Sequence, residues 1–299
     1  GVWQQVDWQE ALNVIKEKLG NILNQAGPAQ LGTLISPTAT LEELYLAQKL
    51  TRALGSDNID SRLKQVDFSD QLVVPRFPWL GQSIVDFEEN QAALLIGSNL
   101  RKDQPIINHR LRKAALDGAS VMVLNPIDYE FNFPLDYKLI TPPNSITREL
   151  SAILKAAIKL SSEKAETALT KLLKDATINE THRAIADTLF NSDDAIVLLG
   201  NFTTTHPQLA LLRTLSGEIA KLTHSKLGYL SEAVNSSGAW LAGVVPHRLA
   251  GGIKNLNIGL SSHEMLAQKL KAYLLLGVEP ELDCWDTRIA QQAMQDADL

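Results

Sequence analysis

Four short, mainly apolar runs limit most strongly what this chain can fold into. They are Leu31–Ile35, Ala92–Ile96, Ala195–Leu199 and Ala272–Leu276. Each has the length of a strand, and each is followed by a glycine or a serine-proline turn. Apolar runs without alternation are typical of strands buried on both faces, as in parallel sheets covered by helices. The sequence therefore predicts an α/β fold.

Helix signals lie between these runs. Asp7 with Glu10 predicts a capped helix that begins at Trp8 and ends at Gly20. Thr40 with Glu43 predicts a second capped helix that reaches Gly55. A third helix is expected from Pro105 to about Gly118, before a strand at 121–124. Strand, helix and strand in this order predict parallel βαβ units.

The remaining chain suggests a division into two lobes. A length of 299 residues is sufficient for two compact lobes. The prolines in Thr141–Asn144 indicate a boundary, and residues 147–175 are predicted to be helical with a charged face. Ser236–Gly252 contains four glycines and is expected to be loop-like. We predict an inserted α/β lobe at 61–143, and a discontinuous α/β lobe made of 1–60 plus 144–299.

Composition excludes several classes of function. The net charge is −6 without a basic block, which disfavours nucleic acid as a partner. The single cysteine, Cys284, excludes an internal disulfide and any thiolate-built metal centre within this sequence. The six histidines of the chain are not spaced as metal ligands. No apolar run is long enough to span a bilayer, and GxGxxG, GxxxxGK[ST] and HExxH are absent.

Candidate binding positions follow the predicted strands, since ligands of open parallel sheets bind beyond the strands' carboxyl ends. These positions are Ser36-Pro37, Gly97-Ser98-Asn99, Gly200-Asn201 and Gly277–Pro280. The alternative interpretation is that each glycine only permits a tight turn. Cys284, beside Trp285, is expected to be a packed thiol and not a nucleophile.

Several motifs in order carry a family resemblance. LGTLISPTATLEELYLAQKLTRALGSDNIDSRLKQ (31–65) resembles the large iron–sulfur subunit of bacterial NADH:quinone oxidoreductase (respiratory complex I). More broadly it resembles the molybdopterin oxidoreductases, which include formate dehydrogenase and nitrate reductase. The segments 92–126, AIVLLGNFTTTH (195–206), NSSGA (235–239) and AYLLLGVEPELD (272–283) extend the resemblance over nearly the whole chain.

The resemblance implies two Rossmann-like lobes of the formate dehydrogenase/DMSO reductase type and a pterin-type pocket at the strand ends. The positions that would line this vestigial pocket are Gly97, Ser98, Asn99, Asn125, Gly200, Gly277 and Glu279. Catalytic relatives place cysteine, selenocysteine or serine after a stretch like Asn58–Leu63, where this chain has Lys64. The nucleotide-contacting "DPR" of the family appears here as Asn125-Pro126-Ile127.

These departures imply a scaffold without a working metal site, without catalytic residues and without a cofactor of its own. The chain opens on Gly1, so we expect an excised portion whose parent subunit carries iron–sulfur clusters upstream. The implied partners are that cluster-bearing part and other peripheral-arm subunits of a respiratory, proton-translocating complex. The implied location is peripheral, on the cytoplasmic side of the bacterial inner membrane. The alternatives are a catalytically competent molybdopterin-dependent domain that binds a pterin cofactor, and a plain module that binds a small ligand.

Overall fold

The computed structural model describes residues 4–161 and 169–299. Its strands are β1 (Leu31–Ile35), β2 (Ile59–Asp60), β3 (Ala92–Ile96), β4 (Ser120–Asn125), β5 (Tyr137–Ile140), β6 (Ala195–Leu199), β7 (Lys226–Tyr229), β8 (Arg248–Leu249), β9 (Ile253–Lys254) and β10 (Ala272–Leu276). Its α-helices are α1 (Trp8–Ala26), α2 (Leu41–Ala53), α3 (Leu100–Asp103), α4 (Pro105–Leu116), α5 (Ile146–Leu160), α6 (Thr170–Lys174), α7 (Glu180–Phe190), α8 (Asn201–Thr204), α9 (Leu209–Leu222), α10 (Ser236–Ala242), α11 (Ser262–Gln268), α12 (Pro280–Asp283) and α13 (Thr287–Asp296). All four apolar runs are strands, which confirms the α/β fold.

The chain divides into two compact units. Unit 1 contains the chain up to residue 65 together with 71–77 and 233–299. Its parallel sheet has the order β10-β1-β2, with β1 in register against β10 from Leu31–Ala272 to Ile35–Leu276. Apolar clusters pack around β1; one contains Leu34 with α11 and α13 residues, and another contains Ile35 with α2 and α10 residues. A short antiparallel pair, β8-β9, also belongs to this unit.

Unit 2 contains residues 66–70 and 78–232, of which 162–168 lie outside the described residues. Its parallel sheet has the order β5-β4-β3-β6-β7. Alternate side chains of β3 enter two cores, with Leu94 and Ile96 on the side of α5, α7 and α9 and Leu95 on the side of α4. The strand order reverses between β3 and β6, which makes the carboxyl ends of these two strands the topological switch point.

The boundary between the units differs from the prediction. The sequence analysis predicted that residues 144–299 lie in one lobe with residues 1–60. In the structure β6 and β7 instead belong to the sheet of unit 2, where β6 pairs with β3 in register from Ala92–Ala195 to Ile96–Leu199. The chain therefore leaves unit 2 after residue 232 and not at Pro143. Pro143 instead opens a 3-10 turn that leads into α5. Prolines are tolerated in the first turn of a helix, so Pro142 and Pro143 mark a helix start and not a domain boundary.

Two other expectations need correction. Ser236–Gly252 is not a continuous loop, since it contains α10, which ends at Gly243 in the left-handed conformation, and β8. The predicted helix at 147–175 is described as α5 and α6, and its middle falls on residues 162–168, outside the described residues. None of the described helices is long and apolar enough to cross a membrane.

The first helix is longer than expected. The Asp7 carboxylate accepts a hydrogen bond from Glu10 N at 2.8 Å, as predicted, but α1 continues through Gly20 to Ala26. Gly27, with φ of +88°, is the residue that ends it. A single glycine lowers helix propensity without forcing a stop, because its helical dihedral angles are allowed.

Gly20→Ala is expected to stabilise α1. A methyl group at this position meets no atom within 4 Å, so the substitution adds helix propensity without a clash. Amide hydrogen exchange along the second half of α1 should slow about fourfold to fivefold, the equivalent of the propensity difference between glycine and alanine. Unchanged or faster exchange would show that α1 is not a helix through Gly20.

Candidate functional site

Five of the predicted site residues lie together at the carboxyl edge of the unit 2 sheet. Gly97, Ser98 and Asn99 follow β3, Asn125 is the last residue of β4, and Gly200 follows β6. Gly97 N donates to Leu124 O at 2.9 Å and Gly200 N donates to Ile96 O at 2.8 Å. These backbone bonds continue the ladders past the strand ends and hold the three turns side by side at the switch point.

The Asn125 side chain is used within the protein itself. Its Oδ1 accepts from Ser98 N at 2.8 Å, and its Nδ2 donates to Ser98 O at 3.0 Å. Asn125 is fully buried and Ser98 is 1% exposed. Buried backbone N–H and C=O groups need hydrogen-bond partners, and Ser98 lies beyond the end of the paired strand. The side-chain amide of Asn125 therefore supplies the partners that a neighbouring strand would otherwise provide. A carboxylate at this position could not provide the donor.

Gly200 is packed against the turn after β3. A methyl group on its Cα would overlap the carbonyl oxygen of Gly97 and lie 2.5 Å from Ser98 Cβ. Gly97 itself has a φ of +61°, and its carbonyl accepts from Phe202 N at 3.1 Å. Gly97 is thus required by its own turn, as in the alternative interpretation of the sequence, whereas Gly200 has a φ of −91° and is required by its contact with the turn after β3.

One polar atom at this edge has no partner among the described residues. The Ser98 hydroxyl oxygen is buried and makes no hydrogen bond with residues 4–161 or 169–299. Asn99 is half-buried and precedes the short helix α3 without capping it through its side chain. A buried hydroxyl without a partner costs free energy, so Ser98 is the residue of this group with capacity left to bind something.

The other two predicted residues lie at the carboxyl edge of the unit 1 sheet. Gly277 follows β10 with a φ of +62° and is exposed, and an added methyl group would only touch Ser36 Cβ at 3.5 Å. Glu279 is exposed, and its backbone N–H donates to Asp283 Oδ2 at 2.8 Å. This turn is open, in contrast to the turns of unit 2. Binding of a pterin by any of the seven residues stays a prediction.

The segment that follows β2 is held by a buried ion pair. Arg62 Nε and Nη2 donate to Asp60 Oδ1 and Oδ2 at 2.8 and 2.9 Å, and Asp60 is completely buried. Asp60 also accepts from Ser262 N at 3.1 Å, at the first turn of α11. The guanidinium carbon lies 5.5 Å from the ring centroid of Trp240. Two-point bonding to a carboxylate fixes the orientation of an arginine, so this pair sets the path of the chain toward residue 64.

Asp60 and Arg62 belong to the sequence motif at 58–63, but the motif alone did not indicate this role. The signal that could have found it is a pair of opposite charges two residues apart, between the apolar residues Ile59 and Leu63. Charged residues are rarely fully buried unless they are paired. The Asp-x-Arg spacing could therefore have been interpreted as a buried ion pair.

Lys64 stands where catalytic relatives are expected to have a metal ligand. Leu63 beside it is buried, and its carbonyl accepts from Trp285 N at 3.1 Å, but the Lys64 side chain is exposed. A protonated amine has three donors and no acceptor, so it cannot replace a thiolate toward molybdenum. Within the described ranges, no three His, Cys, Asp or Glu side chains come close enough to hold a metal ion. The residue at this position does not fit a molybdenum centre.

Cys284 packs in the core of unit 1 with Leu34, Leu63 and Leu266 and is 8% exposed. Burial raises the pKa of its thiol from 9.0 to about 12, and the carboxylates of Asp283 and Glu281 act in the same direction. The reactive thiolate is therefore strongly disfavoured in the folded protein, as expected for a packed thiol.

Cys284 should resist alkylation in the folded protein. At pH 8 iodoacetamide is expected to label it slowly, and rapidly once urea unfolds unit 1. Because the folded pKa lies above the unfolded one, the unfolded state loses the proton first as pH rises. The contribution of this thiol to stability is thus complete below pH 9 and is lost between about pH 9 and 12. Rapid labelling of the native protein at pH 8 would contradict this account of the thiol.

Comparison with known proteins identifies the family. The family model described as molybdopterin oxidoreductase matches residues 1–299. Relatives named "Putative formate dehydrogenase" in Staphylococcus aureus, among them those of strains bovine RF122 / ET3-1 and MRSA252, are 34% identical over 167 residues. The matched region is 53% of this chain and only 17% of each relative.

Two solved structures share the fold. Acetylene hydratase from Pelobacter acetylenicus aligns with a TM-score of 0.66 at 13% identity, over 99% of this chain and 50% of that one. The formyltransferase/hydrolase complex from Methylorubrum extorquens aligns with a TM-score of 0.62 at 14% identity, over 92% of this chain and 75% of that one. The architecture of the two units and the match over residues 1–299 lead to one conclusion: this chain belongs to the molybdopterin oxidoreductase family.

Proposed function

We propose that this chain is a scaffolding domain of a larger electron-transfer subunit, of the kind found in NADH:quinone oxidoreductase. In this role it has no working metal site. The parent subunit carries its redox centres in iron–sulfur clusters elsewhere, and its partners are the peripheral-arm subunits of that complex.

The proposal rests on two features that occur together at residues 60–64, a buried ion pair and an exposed lysine. The buried Asp60–Arg62 pair preserves the local path of the chain, while the position that would present a metal ligand carries the exposed Lys64. The segment is therefore firmly held beside the position that carries a lysine in place of a metal ligand. Such a separation is expected when a fold is kept for its architecture and its site is no longer used.

The closed edge of unit 2 supports the same proposal. Asn125 bonds both backbone groups of Ser98, and Gly200 leaves no room for a methyl group against Gly97. These turns are stabilised by each other and do not need a ligand to fix their geometry.

The segment 235–239, which resembles the complex I branch, has a defined structural role. Asn235 Nδ2 donates to Ala39 O at 2.8 Å, and Asn235 N donates to Pro37 O at 3.2 Å. Asn235 thereby ties the start of α10 to the turn after β1. Gly238 is required beside it, since an added methyl group would collide with Asn235 Oδ1. The resemblance thus rests on residues that stabilise the framework of unit 1.

A second candidate function is a competent molybdopterin-dependent oxidoreductase domain. The observation in its favour is the buried Ser98 hydroxyl, which has no hydrogen-bond partner among the described residues. The relatives named as formate dehydrogenases point in the same direction. In this alternative, Ser98 would donate a hydrogen bond to a cofactor at the switch point of unit 2.

Native purification of the natural full-length protein distinguishes the two functions. If the domain is a scaffold, the full-length protein should co-elute with NADH-oxidising, cluster-containing subunits, and the isolated protein should not oxidise formate. Elution as a separate enzyme that oxidises formate would overturn it. Ser98→Ala is the matched variant: it should leave NADH oxidation unchanged if the domain is a scaffold, and lower formate oxidation if it holds a cofactor.

A further inference from the structure

The longest described helix is almost unpacked. α1 spans 19 residues, none of which is buried. Its apolar positions nevertheless form a continuous seam with spacings of four, three, four, three and four residues: Trp8, Leu12, Ile15, Leu19, Ile22 and Ala26. A helix of this pattern normally buries its apolar face, since packing of that face supplies most of its stability.

The first half of this seam is the most exposed. Trp8 is 84% exposed, Leu12 is 55% exposed and Ile15 is 45% exposed. Leu19 and Ile22 are half-buried, so the second half of α1 has some contact with its own unit. A contiguous apolar surface headed by a tryptophan is typical of a protein-binding surface, because such aromatic anchors dominate interface energetics.

The spacing specifies the form of the occupant. From Trp8 to Ile22 the spacings average 3.5 residues. This average is the coiled-coil repeat, in which side chains of one helix insert between those of a second helix. A membrane surface is disfavoured by the charges of α1, because Glu10 and Glu17 balance Lys16 and Lys18. Helices that lie on anionic lipid carry an excess of basic residues on the polar face.

The charges beside the seam specify the chemistry of that second helix. With Trp8 and Ile15 in the d positions and Leu12 and Leu19 in the a positions, the flanking e and g positions contain Lys16 and Lys18 and no acidic residue. Flanking charges select the partner of a coiled coil. A second copy of this chain would form no opposite-charge pair along these flanks, whereas a helix with acidic flanks would pair with both lysines.

We propose that α1 is a docking helix that pairs with an amphipathic helix of a partner protein whose apolar seam is flanked by glutamate or aspartate. This interaction does not depend on the proposed scaffolding role, since it rests on the exposed seam and the two lysines alone.

Two designed helical peptides test the proposal with the full chain. They share one leucine seam and differ only at e and g, which hold glutamate in one and lysine in the other. The glutamate peptide should bind several-fold more tightly in a fluorescence anisotropy titration. The double variant Lys16→Glu/Lys18→Glu should reverse this preference, and Trp8→Ala should weaken binding of both peptides.

Matched controls separate docking from folding. Leu256→Ala changes an apolar residue of unit 1 that is 95% exposed and lies outside α1, so it should leave peptide binding unchanged. The α1 variants should retain the circular dichroism and melting temperature of the parent chain, because α1 has no buried residue. Equal affinity for the two peptides, or no binding of either, would overturn the proposal. So would Trp8-dependent dimerisation of the chain in sedimentation, or Trp8-dependent binding to phosphatidylglycerol vesicles in place of the peptide.

Discussion

Replacing Gly200 by alanine is expected to lower the free energy of unfolding of unit 2 by about 3 kcal/mol or more. The added methyl group would overlap Gly97 O and lie 2.5 Å from Ser98 Cβ, and both neighbours belong to the turn after β3, which cannot withdraw easily. Ser98 donates one hydrogen bond to the Asn125 side chain and accepts another from it, so relief of the clash would break at least one of the two. Chemical denaturation followed by circular dichroism measures the loss.

Gly217→Ala is the matched control in the same unit. Gly217 lies inside α9, and the nearest atom to an added methyl group is Leu227 Cδ2 at 4.0 Å. This substitution should raise the free energy of unfolding by about 0.5–1 kcal/mol, because alanine has the higher helix propensity. A Gly200→Ala protein as stable as the parent would show that the turns at the switch point can move apart, which would restore the case for an open pocket there.

Arg62→Leu is expected to cost unit 1 about 3–5 kcal/mol. The substitution leaves the Asp60 carboxylate completely buried without its cation, and the transfer of an unpaired charge out of water is unfavourable. It also removes the guanidinium group from the Trp240 ring. The change in the midpoint of urea denaturation measures this cost.

A double variant and a surface control make this result specific. Asp60→Asn/Arg62→Leu should recover part of the loss, since the neutral amide can still accept from Ser262 N without a buried charge. Arg288→Leu breaks the Asp286 ion pair, whose arginine is 91% exposed, and should leave the midpoint of urea denaturation nearly unchanged. Equal effects of Arg62→Leu and Arg288→Leu would show that the buried pair does not hold the segment before Lys64.

The strands and the helix starts could be predicted from the sequence because both depend on local patterns. Ala92–Ile96 and Ala195–Leu199 are uniformly apolar because helices cover both faces of their sheet. The start of α2 follows from the Thr40–Glu43 capping box, and both reciprocal bonds are present.

The unit boundary and the state of the candidate site could not be predicted in the same way, because they depend on pairing between distant segments. β6 pairs with β3, and the paired residues Ala92 and Ala195 are 103 positions apart in the sequence. The sequence does not specify that β6 pairs with β3 and not with β1. The sequence predicts Gly200 either as a ligand-binding glycine or as a tight-turn glycine, and only the position of Gly97 in the fold shows that it packs against the neighbouring turn. Lys64 is different, since its departure from the family motif is visible in the sequence itself.

We propose that this molybdopterin oxidoreductase domain serves as a framework and not as a metal-binding enzyme. The most direct test is elemental analysis of the natively purified full-length protein for molybdenum and tungsten, with oxidation and fluorescence detection of any released pterin. We expect both metals at background level and no fluorescent pterin. One molybdenum or tungsten per chain together with the pterin would contradict it.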